Sequence, residues 1–179
     1  MSTKVITGKV RTSYAQVSEP KSINGGEPKY SCSFIIPKAD TRTVQAIRDA
    51  VEQAKQEGIG KWGGKVPPNL KLPLRDGDIE RPDDPNYADC YFVNANSKER
   101  PQLVDRRRNP LADSQEMYSG CYVRASLSFY PFNSNGNRGI ACGLGNIQKW
   151  EEGEHLNGRA RAEDEFDVLE DGEEDDFLS

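Results

Sequence analysis

The chain has 179 residues, with 29 Asp and Glu against 24 Lys and Arg, a formal charge of −5 and a mean hydropathy of −0.81. This length suits one domain with a real core. An 18-residue apolar run and a signal-peptide apolar region are both absent, which excludes a membrane-spanning helix and makes a cytoplasmic setting the expectation.

The charge is unevenly spread. Residues 163–179 carry ten of the acids and no base, so residues 1–162 carry a net +5. A mildly basic body with an acidic end points to nucleic acid or to an interaction tail. Residues 1–162 are therefore expected to form the folded domain and 163–179 a disordered tail. Cys32, Cys90, Cys121 and Cys142 lie in predicted strands without any C-x-x-C spacing, and His155 is the single histidine. Buried free thiols fit this better than disulfides or zinc, and no metal or cofactor is expected.

In chain order, residues 4–17 read as a first long strand, with Gly8 marking the kind of bend a small barrel needs. Residues 18–29 are turn-rich. Residues 30–36 form a second strand, with Tyr30, Cys32, Phe34 and Ile36 on one face. The period then changes: Val44, Ile47, Val51 and Ala54 make one helical stripe, with Asp40 placed to cap its start and Gly58 to end it. Residues 58–85 are irregular and rich in Gly and Pro. Within them Lys61, Trp62 and Lys65 admit two readings: Trp62 stacks a base between cations, or it plugs the core beneath the loop. Asp76, Asp78, Asp83 and Asp84 read as a solvated acidic rim.

Residues 87–94 form a third strand, with Ala88, Cys90 and Phe92 inward and Tyr91 on a binding surface. Arg106, Arg107 and Arg108 either neutralise phosphates or form a solvated cluster. Residues 118–150 carry the clearest pattern, a hairpin around the turn-rich 133–139. Cys121, Val123, Ala125, Leu127 and Phe129 alternate with Tyr122, Arg124, Ser126, Ser128 and Tyr130. One face is apolar. The other presents rings, hydroxyls and a cation, with Phe132 just beyond, which suits stacking of single-stranded bases. On the return strand Ile140, Cys142 and Leu144 share a parity, and Ala141, Gly143 and Gly145 leave the backbone approachable. Trp150 reads as packing and His155 as solvated.

Enzyme signatures are missing: no nucleophile elbow, no phosphate-cradling lysine loop, no zinc-protease helix motif. A small Mg²⁺-dependent nuclease using Asp76, Asp78, Asp89 and Asp105 is one alternative. A non-enzymatic, acidic-tailed interaction or assembly module is another. In the tail, Glu173, Glu174, Asp175 and Asp176 precede Phe177, so an acidic segment hands an aromatic to a partner.

The blocks Tyr118–Ser126 (YSGCYVRAS), Phe129–Phe132 (FYPF), Gly139–Lys149 (GIACGLGNIQK) and Ala162–Phe166 (AEDEF) resemble phage single-stranded DNA-binding proteins of T7-like replication. They resemble still more closely the DUF2815 group of phage proteins. The likeness covers most of residues 1–166. It implies an all-β OB-fold with one helix: a five-stranded Greek-key barrel with long loops. It also implies sequence-independent binding of single strands in replication, recombination or repair, inside the host cytoplasm. Further implications are an acidic tail that competes for the DNA groove and meets replication proteins such as polymerase or helicase-primase, and a homodimer. Under this reading Tyr122, Tyr130, Phe132, Tyr91 and Trp62 stack bases. Lys9, Arg11, Lys61, Lys65, Arg124 and Arg106–Arg108 hold phosphates.

Overall fold

The computed structural model describes residues 3–22, 26–134, 136–156 and 169. The strands are β1 (Lys4–Ile6), β2 (Val10–Lys21), β3 (Lys29–Pro37), β4 (Arg75–Asp76), β5 (Cys90–Ser97), β6 (Leu103–Val104), β7 (Tyr122–Ser134) and β8 (Asn137–Glu151); the helices are α1 (Thr41–Gly58) and the short α2 (Gly77–Glu80). The expected acidic tail, with Glu173 to Phe177, lies outside the described residues.

All eight strands belong to one mixed sheet, in the order β1-β7-β2-β3-β5-β8-β6. β4 pairs β5, and β7 also pairs β8 in the long hairpin. The β5–β8 and β6–β8 pairings are parallel. This corrects the expected architecture. Among the described residues the strands number eight and a second helix is present, and the sheet mixes antiparallel and parallel pairings instead of forming the expected five-stranded Greek-key barrel with one helix. Two local causes are visible. The predicted first strand breaks at Thr7–Lys9, where the Gly8 N–H leaves the ladder and donates to Thr43 Oγ1 (2.9 Å). β1 and β2 therefore pair separate stretches of β7. Residues 75–76 and 103–104, inside segments that look irregular in the sequence, add as two-residue strands.

The hairpin follows the sequence alternation. Val123, Ala125, Leu127 and Phe129 are buried, while Arg124, Ser128 and Tyr130 are exposed. Its turn is tighter than the predicted 133–139 loop, since Ser134 already pairs Asn137. The adjoining Gly136 takes the left-handed conformation that such turns favour. On α1, Val44, Ile47, Val51 and Ala54 are buried as the periodicity requires, and the Asp40 carboxylate accepts from Thr43 N. α1 ends at Gly58 as expected, but Gly58 keeps a right-handed helical backbone (φ −86°) and is not a left-handed stop. The chain continues as a 3₁₀ turn over Ile59–Trp62 and stops at Gly63, with φ +79°. Gly58 is small for another reason: a Cβ there would sit 2.5 Å from Pro131 Cβ and 2.7 Å from the Trp62 ring.

The main core lies between α1 and the sheet. A second, smaller one joins Ile35, Tyr87 and Phe92. It also shifts the predicted third strand, which runs as β5 over Cys90–Ser97 and not over 87–94. Pairing begins at Cys90; Tyr87 sits on a 3₁₀ turn and is buried, and Ala88 is exposed. Phe92 enters the second core while Val93 and Ala95 enter the main one, so β5 is covered on both faces. The four cysteines are free, three of them buried. Desolvation pushes the Cys142 thiol up to about 12, which makes it an inert packing group.

Gly120 joins the hairpin base to the segment after β8. Its φ is +117°, and any Cβ would collide with the Glu154 carbonyl. Gly120→Ala is expected to lower stability by roughly 2 kcal/mol, seen as a lower urea midpoint at unchanged slope.

Candidate nucleic-acid interface

The outward face of β7 is arranged in rows set by strand register. Tyr122 pairs Arg11 on β2, and Arg124 pairs Gln148 on β8, which in turn neighbours Val104 on β6. Ser126 pairs Ile6 on β1, Ser128 lies between Lys4 and Gly143, and Tyr130 pairs Ala141. Tyr122 and Tyr130 are eight residues apart, about 26 Å along an extended strand. A polar stretch therefore separates two aromatic ends.

At the first end the Lys9 ammonium lies 5.1 Å from the Tyr122 ring centre and 6.0 Å from that of Trp150. Lys9 also pairs with Glu151. Arg106, Arg124, Gln148, Lys149 and Trp150 line one cavity of about 170 Å³ here. Arg108 and Arg124 line its neighbour. The arginine run is thus brought beside the hairpin across a long sequence gap. Among the described residues Arg106 and Arg108 have no ion pair, and Arg124 makes one side-chain hydrogen bond, to the Thr7 carbonyl at 3.4 Å. These guanidinium groups are open to an anion. Arg11 differs. It donates to Gly120 O (3.0 Å), Asn86 Oδ1 (3.4 Å) and Glu154 O (2.7 Å), so it ties the structure together behind Tyr122.

Asp105 holds the arginine loop in shape. One of its carboxylate oxygens accepts from Arg107 N (2.8 Å) and Asn109 N (2.9 Å), and Arg108 is carried at φ +69°. Those backbone bonds, Asn109 first, hold its acid constant below the ordinary Asp range. A carboxyl depressed by folding stabilises above its unfolded acid constant, and that contribution disappears as pH falls through the folded value. Asp105→Ala is therefore expected to loosen the loop, giving faster amide exchange at 106–109 at neutral pH. The wild type should show the same loosening only on acidification below the usual Asp range.

At the second end Tyr130 is 44% exposed and lies over Gly143. Phe132 is half-buried across Gly139, where the backbone of Lys71 bridges to the hairpin. Lys61 is exposed beside it, its carbonyl accepting from Asn133 Nδ2 at 3.1 Å. Trp62 settles between its two readings. It is 4% exposed, and its indole N–H donates to Phe132 O at 3.0 Å, so it plugs the core and offers no ring face to a base.

The remaining expected residues lie elsewhere. Tyr91 is half-buried beyond α1, with Arg48 donating to its hydroxyl (3.0 Å) and Lys38 5.1 Å from its ring centre. Lys65 and Arg107 are exposed, and neither lines the cavities beside the hairpin. Asp76 and Asp78 are not a loose acidic rim: both pair with Lys38, at 3.0 and 2.8 Å. His155 is not solvated but stacks on Tyr118, ring centres 4.0 Å apart. The residue missed by sequence reasoning is Trp150. It shares outward parity with Gln148, and that parity was the available signal. Among the described residues no group of three or more His, Cys, Asp or Glu is placed to hold a metal ion. No helix there is long and apolar enough to cross a membrane.

Fold and face together define a β-sheet protein with a wet, cationic surface ended by aromatic rings, the class of single-strand-binding modules. The chain belongs to the family of the Enterobacter phage Enc34 ssDNA-binding protein, whose family model matches residues 3–178. It is 33% identical over 188 residues to "Putative protein p50" of Acyrthosiphon pisum secondary endosymbiont phage 1, covering 98% of this chain and 99% of that one. The single-stranded DNA-binding protein of bacteriophage Enc34, solved in complex with ssDNA, superposes with a TM-score of 0.77 at 27% identity, over 86% of this chain and 89% of that one. The single-stranded DNA-binding protein gp2.5 of bacteriophage T7 shares the fold, with a TM-score of 0.61 at 14% identity over 88% and 97% of the two chains. The resemblance carried by the hairpin blocks thus holds for phage ssDNA-binding proteins, and the family is that of Enc34 and not DUF2815.

Proposed function

We propose that this chain is a non-enzymatic protein that binds single-stranded DNA without sequence preference, in phage DNA replication, recombination or repair. One observation carries the reading. The outward face of β7 and β8 sets Tyr122 and Trp150 beside the open cations Arg106, Arg108 and Arg124, with a third ring, Tyr130, farther along. Rings give sequence-tolerant stacking, and guanidinium groups displace counterions from phosphates. The family and the DNA-bound Enc34 relative support the same reading. A nuclease is less well supported, because Asp76 and Asp78 are paired with Lys38 and Asp105 is spent on its own loop.

Titration of fluorescent oligo-dT, duplex DNA and single-stranded RNA at two salt concentrations tests this. Oligo-dT is expected to bind tightest and to weaken steeply with salt; equal or absent binding of oligo-dT would overturn the reading.

The acidic segment 163–179 is proposed to compete with DNA for the same cations and to present Phe177 to replication proteins such as polymerase or helicase-primase. A homodimer belongs to the same proposal. Deleting 163–179 removes ten negative charges. It is expected to tighten oligo-dT binding at low salt and to matter less at high salt.

A further inference from the structure

Between β1 and β6 the wet face contains a cavity of about 350 Å³ that the aromatic ends of the face do not explain. Its walls include two aliphatic side chains, Ile6 and Val104. Ile6 is 60% exposed, because Val5 takes the inward position on the three-residue β1. Nothing in the core requires an isoleucine there. Val104 is half-buried and sits next to Gln148 by register.

The polar lining comes from a bulge, a feature that re-aims side chains. Ladder pairing shifts between Ala125 and Leu127, and Ser126 Oγ accepts from Asn146 N at 2.8 Å. Gln148 Nε2 donates to the carbonyls of Asp105 (3.3 Å) and Arg106 (3.2 Å), so the amide is fixed with its oxygen left as an acceptor. Arg108 and Arg124 line the same cavity.

Asn146 lines the same cavity, its carboxamide Oδ1 accepting from Gln102 N at 3.4 Å. Aliphatic walls, these two amides and flanking cations together match one planar base still joined to its phosphates. The volume falls at the lower end of small-ligand sites. We propose that this slot takes one base of the bound strand out of the stack. The base packs between Ile6 and Val104, its polar edge meets the carboxamides of Gln148 and Asn146, and its flanking phosphates lie at Arg108 and Arg124. The inference rests on the single-strand-binding reading above. It adds a position at which a base is enclosed, between the two ends where bases stack.

Methyl-labelled protein titrated with oligo-dT tests it by NMR. The Ile6 and Val104 methyls are expected to shift by ring current and to show contacts to base protons. Ile79, 75% exposed but outside the cavity, should stay unmoved. Ile6→Ser with Val104→Ser is expected to cost about tenfold in affinity at unchanged salt slope, because the walls carry no charge. Salt-sensitive binding with both methyls unmoved, or a double variant that binds like wild type, would overturn the slot while leaving the general reading intact. Absence of any oligonucleotide binding would remove both.

Discussion

Tyr122→Ala combined with Tyr130→Ala is expected to weaken oligo-dT binding by roughly 2–6 kcal/mol, about 1–3 kcal/mol for each lost platform. The two rings sit about 26 Å apart along β7, far enough for the losses to add. Tyr130 is 44% exposed, so its removal should leave the melting temperature nearly unchanged. Tyr122 is half-buried against Gly153, so its single variant needs a circular-dichroism melt beside the titration. A folded double variant with wild-type affinity would remove stacking at these rings from the mechanism.

The second large effect concerns salt. Arg106→Gln, Arg108→Gln and Arg124→Gln together are expected to reduce the slope of log affinity against log salt by about 2, at ~0.7 per phosphate on a single strand. All three line the cavities beside Trp150 and Gln148. Arg107→Gln is the internal control. Arg107 belongs to the same run but lines neither cavity, so its slope should change little. If the control and the triple variant behave alike, charge at the loop acts diffusely, and the groove geometry is not what binds.

The sequence pattern reached β7 because that strand has one wet face and one dry face. Alternation then reports burial directly, and Val123 to Phe129 against Tyr122 to Tyr130 came out on the correct sides. β5 defeated the same logic. With a core on each side of it, Phe92 and Val93 are both buried, and parity carries no information. α1 was legible in its stripe and at its end, but the reason for Gly58 was not: it serves the close approach of Pro131 and Trp62, and the left-handed glycine is Gly63, after the 3₁₀ turn. Trp62 could not be decided from its neighbours, since a tryptophan between lysines reads alike whether its ring faces solvent or the core. The site itself was half visible. Tyr122, Arg124 and Tyr130 were evident on one strand. The joining of Arg106 and Arg108 to that strand depends on the parallel β6–β8 pairing, which two residue pairs define and no local pattern announces. The expected barrel failed for a related reason: short edge strands such as β4 and β6 leave almost no periodic trace.

The bound strand is proposed to lie along the outward face of β7 and β8. Photo-crosslinking of the full chain to oligo-dT carrying 5-iodouracil, followed by peptide mapping, addresses that placement most directly. Crosslinks are expected at Tyr122, Trp150 and Tyr130. Crosslinks confined to Tyr91 or to the exposed Tyr14, with those three residues unmodified, would put the strand on another surface and contradict the account.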